Sequence, residues 1–362
     1  MKLIVNKTLS EKSKYGGGVG GYYRTLRKYT NHFYLLDATY SIKKNTFLRF
    51  MLEYFRAQIK LFKLQRKATV TVFNPSLGGY SWIRDLIQMR LLSTGKGKVI
   101  IFFRGWDEKF ADKIEKNKLY RLIFNFVYNS KSNAFIVLSR SFQEKLHSWE
   151  VNKPVYIDST IVDDELTAKY HHEIQVKSFN QNTRLLFLSR LERNKGVFEL
   201  ISAFKIVSAK RNEYMAIDIV GNGTAYAELY NSVTGISNIN FHGYVIGDEK
   251  SRVFITSDIF VFPSTHGEGM PNALLEAMAF GLPVLTTRVG GIPDFFEDSK
   301  MGLFLESTDP EHIAERIEFL LDRPDLMEQM SRYNYTYAKE HFYASKVAKR
   351  LENIVDDVYA HS

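Results

Sequence analysis

The stretch IFVFPSTHGEGMPNALLEAMAFGLPVLTTRVGGIPD, residues 259–294, indicates the fold of this chain. An apolar run suited to a buried strand is followed by a polar loop and then by good helix formers from Ala273 to Phe280. Pro271 and Asn272 suit the cap and first turn of that helix, and Gly281 can end it. A second apolar strand and a glycine-rich loop follow, so this stretch reads strand, loop, helix, strand, loop.

Two carboxylates in this stretch are candidates for ligand binding. Glu268 lies in the predicted loop and Glu276 lies eight residues later, inside the predicted helix, so both are near the carboxyl end of a buried strand. Ligands of open α/β sheets bind at that end. The backbone N–H groups at the start of the helix favour an anion at the same place.

The same alternation of strand and helix extends along the whole chain and predicts parallel sheets covered by helices. Because the strands form two series, separated by a polar stretch at 159–182, we expect two doubly wound α/β domains. The predicted strands are 2–6, 68–74, 98–104, 134–139 and 154–158, then 184–189, 215–221, 239–245, 259–264 and 282–287. Residues 345–360 are predicted to form one amphipathic helix.

Composition and charge narrow the function further. The 362 residues include no cysteine, which excludes disulfides, thiolate metal sites and cysteine nucleophiles. The net charge of +9 divides into +18 over residues 1–160 and −9 over residues 161–362. A basic half attracts phosphorylated ligands, anionic membrane or nucleic acid. We find no signal peptide and no run of about 20 apolar residues that could span a membrane.

Residues 41–67 are the most basic segment of the first half, with eight basic side chains and one acid, Glu53. Basic residues recur at helical spacing beside several phenylalanines and leucines. A basic amphipathic helix of this kind can lie on an anionic membrane surface. It can equally pack on its own domain with a solvated basic face, and the sequence leaves both interpretations open.

The motif EGMPNALLEAMAFGLPV resembles the signature of the retaining glycosyltransferases of family 4, which have the two-Rossmann-domain GT-B fold. The segments SRLERNKGVFELISAF (189–204), IVGNGTAYAEL (219–229), INFHGYV (239–245) and VGGIPDFFEDSKMGLFLE (289–306) resemble the same family. Likeness covers 184–340 and is weaker over 1–160, where KYGGGVGGYYRTL (14–26) resembles the glycine-rich loop after the first strand.

The resemblance implies an α/β protein with two Rossmann-like doubly wound domains facing a cleft. Residues 1–162 with 341–362 would form an acceptor-binding domain, onto which the C-terminal helix crosses back, and 163–340 a donor-binding domain. The implied activity is transfer of a hexose, with retention, from a nucleotide diphosphate sugar to a hydroxyl of a glycan. A lipid-linked glycan in the assembly of bacterial O-antigen, capsule or lipopolysaccharide suits the basic first half.

The resemblance also implies a role for each site residue. Glu268 would bind donor-sugar hydroxyls and Glu276 the ribose hydroxyls, while Arg190 and Lys195 would neutralise the diphosphate as it leaves. The base would rest near Gly243, Tyr244 and Val245. The remaining predicted donor-binding residues are Gly17, Gly18, Gly20, Gly221, His266, Gly267, Gly269, Met270, Pro271, Asn272 and Ala273.

The segment FFRGWDEKF (102–110) departs from the family, many of whose members have a histidine near the end of this strand. Arg104 could bind a phosphate or polarise a sugar hydroxyl, and Asp107 could orient the acceptor hydroxyl or accept its proton. In the mechanism usually proposed for the class, the leaving diphosphate itself takes the acceptor proton. Which of the two replaces the histidine is left open.

No metal and no cofactor are predicted, because no histidine and carboxylate cluster has metal-ligand spacing and no Asp-x-Asp follows a strand. We expect a cytoplasmic protein that is peripheral on the inner face of the membrane. Two alternatives stay open: a nucleotide-sugar 2-epimerase of the same fold, and a non-enzymatic binder of nucleic acid or membrane. The basic segment and the transferase-type motif favour the transferase, and no nucleic-acid motif is present. UDP, GDP and dTDP are all open as the nucleotide.

Overall fold

A computed structural model of the chain forms two compact units, one of residues 1–161 with 344–362 and one of residues 162–343. The structure describes residues 2–6, 18–30, 32–37, 47–75, 77–78, 81–179, 182–211, 214–267 and 269–361. Both crossings of the chain between the units lie at neighbouring residues, since the Val162 N–H donates to the Phe342 carbonyl at 2.8 Å.

The first unit is built on a six-stranded parallel sheet in the order β2-β1-β3-β4-β5-β6. Its strands are β1 (Lys2–Asn6), β2 (Phe33–Asp37), β3 (Val70–Phe73), β4 (Lys98–Phe102), β5 (Ala134–Val137) and β6 (Val155–Ile157). Its helices are α1 (Gly18–Tyr29), α2 (Phe47–Gln65), α3 (Ser81–Leu92), α4 (Glu108–Lys116), α5 (Lys118–Val127), α6 (Arg140–Ser148) and, from the end of the chain, α15 (Ala344–Ala360).

The second unit is built on a six-stranded parallel sheet in the order β12-β11-β10-β7-β8-β9. Its strands are β7 (Thr183–Leu188), β8 (Met215–Val220), β9 (Ile239–Gly243), β10 (Ile259–Phe262), β11 (Val284–Thr287) and β12 (Gly302–Leu305). Its helices are α7 (Asp164–Ala168), α8 (His171–Gln175), α9 (Val197–Lys210), α10 (Tyr226–Ser232), α11 (Gly247–Ile255), α12 (Asn272–Ala279), α13 (Pro310–Leu321) and α14 (Pro324–His341).

The second sheet carries an apolar core on each face. Ile259 and Val261 of β10 pack into a cluster with α9 and α13, whereas Phe260 and Phe262 pack into a second cluster with α12 and α14. Successive side chains of a strand point to opposite faces, so a strand covered on both sides is apolar throughout. This explains the apolar run IFVF of β10.

The helix α15 is held to the rest of the first unit by polar contacts in its middle and towards its C-terminal end. Arg350 binds the buried Asp158 through Nε at 3.0 Å, and the Thr30 hydroxyl donates to Glu352 at 2.5 Å. Lys2 pairs with Asp356 at 2.7 Å. The last helix therefore completes a unit whose other elements lie in the first 161 residues.

Most predicted elements are present, with three differences. The ten predicted strands exist, shorter by one or two residues at several ends, but the edge strands β2 and β12 were not predicted. The stretch 159–182, interpreted as polar and aperiodic, contains the short helices α7 and α8. Within 41–67 the structure describes one helix, α2, and residues 41–46 lie outside the described residues.

Candidate active site

The candidate site lies at the carboxyl edge of the second sheet, at its topological switch point. From β7 the chain continues to β8 and β9 on one side and then returns to β10 on the other side of β7. The loops that follow β7 and β10 diverge from such a point and leave a crevice, in which open α/β sheets bind their ligands. These are the loops that contain the residues predicted from the sequence.

The loop after β7 is held against the loop after β10. The Thr265 N–H donates to the Asn194 carbonyl at 3.0 Å. Gly196 adopts a left-handed conformation, φ +74°, and a Cβ at this position would lie 2.1 Å from the Pro263 carbonyl oxygen. Only glycine fits here. The glycine of the Lys-Gly pair at 195–196 is therefore required by the close approach of the two loops, whatever Lys195 does chemically.

Lys195 is the buried cation of this edge. It ends a short 3-10 turn, Arg193–Lys195, and only 1 % of the residue is exposed. Burial lowers the pKa of its ammonium group to about 8, and the positive charge of Arg190 acts in the same direction, against the opposing effect of Glu192. A desolvated ammonium near a second cation is suited to an anionic ligand, whose charge would restore its preference for the protonated form.

Arg190 differs from Lys195 in its exposure. Its side chain is 66 % exposed and its guanidinium donates to Glu192 at 2.9 Å. Both basic residues predicted for the diphosphate thus follow β7, one buried and one in solvent. An exposed arginine can rearrange toward a ligand at small cost, because exposed ion pairs contribute little to stability.

The strands β8 and β9 supply glycines at the same edge. Gly221 has φ +138°, and a Cβ there would lie 1.8 Å from the Ser189 carbonyl oxygen, so this position also requires glycine. Its N–H donates to the Gly243 carbonyl at 2.6 Å. Tyr244 is 49 % exposed, whereas the Val245 side chain packs into the core. Of these residues, Tyr244 has the side chain available to a ligand.

The loop after β10 is largely accessible. His266 and Gly267 are exposed, and Gly269 and Met270 are partly buried. The Gly269 carbonyl accepts the Gly291 N–H at 3.0 Å, which ties this loop to the one after β11. Glu268, the residue predicted to bind the donor sugar, lies outside the described residues, and so does Gly17.

The helix α12 starts one residue earlier than a cap at Asn272 would place it. Pro271 is the N-cap and Asn272 the first helical residue, followed by Ala273. Phe280 is the C-cap, and Gly281 follows it in the left-handed conformation, φ +68°. Helix termination by Gly281 is thus confirmed.

Glu276 has an ion-pair partner that was not predicted from the sequence. Lys250 of α11 donates to the Glu276 carboxylate at 2.7 Å, and the two side chains are only 21 % and 12 % exposed. Lys250, Val253 and Phe254 stand at positions i, i+3 and i+4 of a helix, so they share its buried face. This spacing in the sequence could have indicated that Lys250 lies on the buried face of the helix. A ribose bound to Glu276 would also meet the Lys250 ammonium group.

In the first unit, Arg104 lies two residues after β4 and is enclosed by aromatic rings. Its guanidinium carbon is 3.7 Å from the centre of the Tyr22 ring, and Nη2 donates to the Thr160 hydroxyl at 3.0 Å. Asp107 is exposed and caps α4, where its carboxylate accepts the Phe110 N–H at 3.0 Å. Asp107 therefore has a structural function in this unit, which the sequence analysis did not consider.

The glycines Gly18 and Gly20 belong to the first turn of α1. The structure thus divides the predicted site residues between the two units: Gly18, Gly20, Arg104 and Asp107 lie in the first, and the other described ones lie in the second. Among the described residues, no group of three or more histidines and carboxylates is placed to hold a metal ion. The absence of a metal requirement stays a prediction.

Residues 171–337 match a protein family described as "Glycosyl transferases group 1". Among curated proteins, the chain is 28 % identical to the spore coat protein SA of Bacillus subtilis over 181 residues, 48 % of each chain. It is 28 % identical over 196 residues to the capsular polysaccharide biosynthesis glycosyltransferase CapM of Staphylococcus aureus, covering 53 % of this chain and 49 % of CapM. The chain thus spans about half the length of these relatives.

Solved structures resemble the whole chain. Anabaena HepE in complex with UDP superposes with a TM-score of 0.71 at 13 % identity, covering 98 % of this chain and 99 % of HepE. The sucrose-phosphate synthase of Thermosynechococcus elongatus gives a TM-score of 0.73 at 14 % identity, covering 100 % and 99 %. At such identities the likeness concerns the fold. The predicted class, GT-B with two Rossmann-like doubly wound domains, is confirmed, and residues 171–337 form a glycosyl transferases group 1 domain.

Proposed function

We propose that this chain is a retaining glycosyltransferase that moves a hexose from a nucleoside diphosphate sugar to a hydroxyl of a glycan. The observation that carries this proposal is the buried Lys195 at the switch point of the second sheet, within a glycosyltransferase group 1 domain. A cation there can neutralise the negative charge that grows on the diphosphate as the glycosidic bond breaks, which is where stabilisation accelerates transfer.

Each predicted donor residue takes one part of this reaction. Lys195 and Arg190 bind the diphosphate, Glu276 accepts hydrogen bonds from the ribose hydroxyls, and Glu268 orients the sugar. The leaving diphosphate accepts the proton of the attacking hydroxyl on the same face of the sugar, so the anomeric configuration is retained. This scheme uses no metal ion. It leaves Asp107 as the cap of α4 rather than as the base.

The nucleotide to test first is UDP. HepE was solved with UDP and with UDP-glucose, and it shares the fold of this chain over nearly its full length. GDP and dTDP sugars belong in the same panel, because the predicted base contacts come from backbone near Gly243 and Val245 and do not select a base.

We further propose that the acceptor is lipid-linked and that the protein meets an anionic membrane surface through its first unit. CapM and the amylovoran biosynthesis glycosyltransferase AmsK of Erwinia amylovora are both named for polysaccharide biosynthesis. Bacterial surface polysaccharides such as O-antigen, capsule or lipopolysaccharide are the corresponding products. No helix in the described part of the chain combines the length and apolar character that crossing a bilayer requires.

The helices α2 and α5 carry the surface that suits a membrane. Phe55 and Ile59 of α2 are each 55 % exposed. Leu119 and Leu122 of α5 are 63 % and 57 % exposed. The basic side chains exposed on α2 are Arg56, Lys60 and Lys63. Apolar side chains that insert at the headgroup level, flanked by cations that attract anionic lipid, are the two components of interfacial binding.

Transfer is tested with a panel of nucleoside diphosphate sugars and purified polyprenyl-linked oligosaccharides. Released nucleoside diphosphate and the anomeric configuration of the product, read by NMR, are the two measurements. We expect Glu268→Ala and Lys195→Ala to abolish turnover while the fold is retained, and the exposed control Lys205→Ala to keep it. Normal turnover in either site variant would refute the site, and an inverted product would refute the mechanism.

Membrane binding is tested separately by co-sedimentation with vesicles that contain phosphatidylglycerol. Loss of one cation is expected to cost about 1 kcal/mol of membrane binding. Reversal of charge at Arg56, Lys60 and Lys63 replaces each attraction by a repulsion, so it is expected to weaken binding strongly. The matched control reverses Lys205, Lys210 and Arg323 of the second unit. Equal binding by both triple variants would remove α2 from the membrane contact.

A further inference from the structure

Arg104 occupies a position at which a parallel sheet presents ligands, although it belongs to the first unit. It follows β4, and residues 158–160, which follow β6, lie beside it. The carboxyl edge of the first sheet thus has a partly buried cation, whereas Lys195 of the second sheet is fully buried. The two sites differ in the partners that surround the cation.

The guanidinium of Arg104 is only partly satisfied. Nη2 donates to the Thr160 hydroxyl at 3.0 Å, but Nε and Nη1 are inaccessible to solvent and have no hydrogen-bond partner in the part of the chain that the structure describes. The guanidinium carbon stacks at 3.7 Å on the Tyr22 ring, which holds the plane of the group in place. Buried donors without partners are rare in folded proteins, and a charged one is the most costly.

The nearby carboxylate does not neutralise Arg104 directly. Oδ1 of Asp158 accepts from Arg350 Nε at 3.0 Å and from the Ser159 N–H at 2.8 Å. No carboxylate of the described residues lies within ion-pair distance of Arg104. Two arginines and one aspartate leave this cluster with a net positive charge. An anion would balance that charge.

Two phenols add further donors. Tyr22 and Tyr23 are 1 % and 0 % exposed, and neither hydroxyl has a hydrogen-bond partner among the described residues. Their rings meet edge to face with centres 4.9 Å apart. Burial raises the pKa of both phenols, Asp158 raises that of Tyr22 and Arg104 lowers it, so both hydroxyls remain protonated at neutral pH. A hydroxyl that keeps its proton can donate to an anionic oxygen.

We infer that Arg104, Tyr22 and Tyr23 form a binding site for a phosphate group. The unpaired atoms of the three side chains carry five donor hydrogens, and a phosphate offers three acceptor oxygens where a carboxylate offers two. A planar guanidinium that is fixed by stacking suits paired hydrogen bonds to phosphate. The space at the next residue is open, since a Cβ built on Gly105 meets no atom within 4 Å.

The origin of this phosphate follows only if the proposed function holds. The donor diphosphate is then assigned to Lys195 and Arg190 in the second unit, so the phosphate at Arg104 belongs to the acceptor. An acceptor carried on a polyprenyl phosphate or diphosphate has such a group. This assignment rests on the proposed function, whereas phosphate binding at Arg104 does not.

The test measures binding of inorganic pyrophosphate, farnesyl phosphate and UDP by calorimetry, in the Lys195→Met background that removes the donor-site cation. We expect Arg104→Met, and Tyr22→Phe with Tyr23→Phe, each to weaken pyrophosphate and farnesyl phosphate at least tenfold. UDP binding should change less than twofold. The controls are Arg27→Met, an exposed arginine of α1, and Tyr359→Phe, which is 58 % exposed.

Thermal unfolding separates a ligand site from a structural cluster. Because the phenol hydroxyls have no partner, the tyrosine double variant is expected to keep or raise the midpoint of unfolding while it loses phosphate. A lowered midpoint with unchanged phosphate binding would mean that water satisfies the hydroxyls, and the site would be refuted. Weakened UDP with unchanged farnesyl phosphate would refute the acceptor assignment. Retained phosphate binding without transfer of any sugar would refute only the proposed function.

Discussion

Replacement of Lys195 by methionine is the most direct test of how the second unit binds a diphosphate. The side chain is buried, and its pKa is lowered to about 8 by desolvation and by Arg190. Methionine is apolar and unbranched, so it can fill the same space without a charge. Only the cation is removed, and the fold is expected to persist.

The magnitude follows from that pKa. A group with a pKa of about 8 is about nine tenths charged at pH 7 and about one tenth charged at pH 9. A terminal phosphate with a pKa near 6 is already about nine tenths ionised at pH 7, so its charge changes little between pH 7 and pH 9. The affinity of the wild-type protein for UDP should therefore fall about tenfold from pH 7 to pH 9. At pH 7 the variant loses one charge-assisted contact, about 1.5–3 kcal/mol, or about 10- to 150-fold in affinity.

The change in the pKa of Lys195 on diphosphate binding can also be measured through proton uptake. A bound diphosphate stabilises the charged form of Lys195 and raises its pKa, so binding draws a proton from solution at pH values above the free pKa. At pH 8.5 only about a quarter of the free protein carries this proton, so uptake should approach about 0.7 proton per UDP. Calorimetry in two buffers of different ionisation enthalpy measures this number.

The comparison of three proteins decides the outcome. Wild type and the control Lys205→Met should show the decline above pH 8 and the proton uptake, and Lys195→Met should show neither. A Lys195→Met protein that keeps the decline would assign it to another group. A wild type that takes up no proton would mean that Lys195 does not contact the diphosphate.

Three further predictions concern the second unit. Gly196→Ala should destabilise the protein by more than about 2 kcal/mol and weaken UDP binding, because a Cβ there meets a carbonyl oxygen at 2.1 Å. The control Gly235→Ala, with φ +88° but open space around the Cβ, should cost only about 1–2 kcal/mol. Urea unfolding measures both losses. Lys250→Met should lower stability by about 1–3 kcal/mol, since it leaves the Glu276 carboxylate buried and unpaired. The double variant Lys250→Met with Glu276→Gln should recover most of that loss, and additive losses would argue against the pair. The hydrogen bond to Asp218 raises the pKa of His242. The stability that this bond contributes is therefore fully present below the unfolded pKa of the histidine and is lost as the pH rises through its folded pKa. His242→Gln should destabilise the protein more at pH 5.5 than at pH 9, and equal losses at both would contradict this.

Local sequence was sufficient for the elements with strong patterns. The central strands are buried on both faces, so most of their residues are apolar. The helix α12 has Pro271 at its N-cap and Gly281 just after its C-cap, residues whose backbone preferences suit those positions. Of the four edge strands of the two sheets, β6 and β9 were predicted from the sequence, whereas β2 and β12 were not. Their pairing with β1 and β11 defines them.

The sequence by itself determined the fold class, the glycosyltransferase-type motif and the placing of Lys195, Gly196 and Glu276 at one sheet edge. Each depends on short-range order: which residues follow a strand, and which can occupy a turn. Only the tertiary structure decided which charges are buried and which are paired. Lys195 and Arg190 are alike in sequence, yet one is enclosed and the other lies in solvent. Lys250 meets Glu276 across 26 residues, and Arg104 meets Tyr22 across 82, because pKa and pairing depend on neighbours that chain folding brings together.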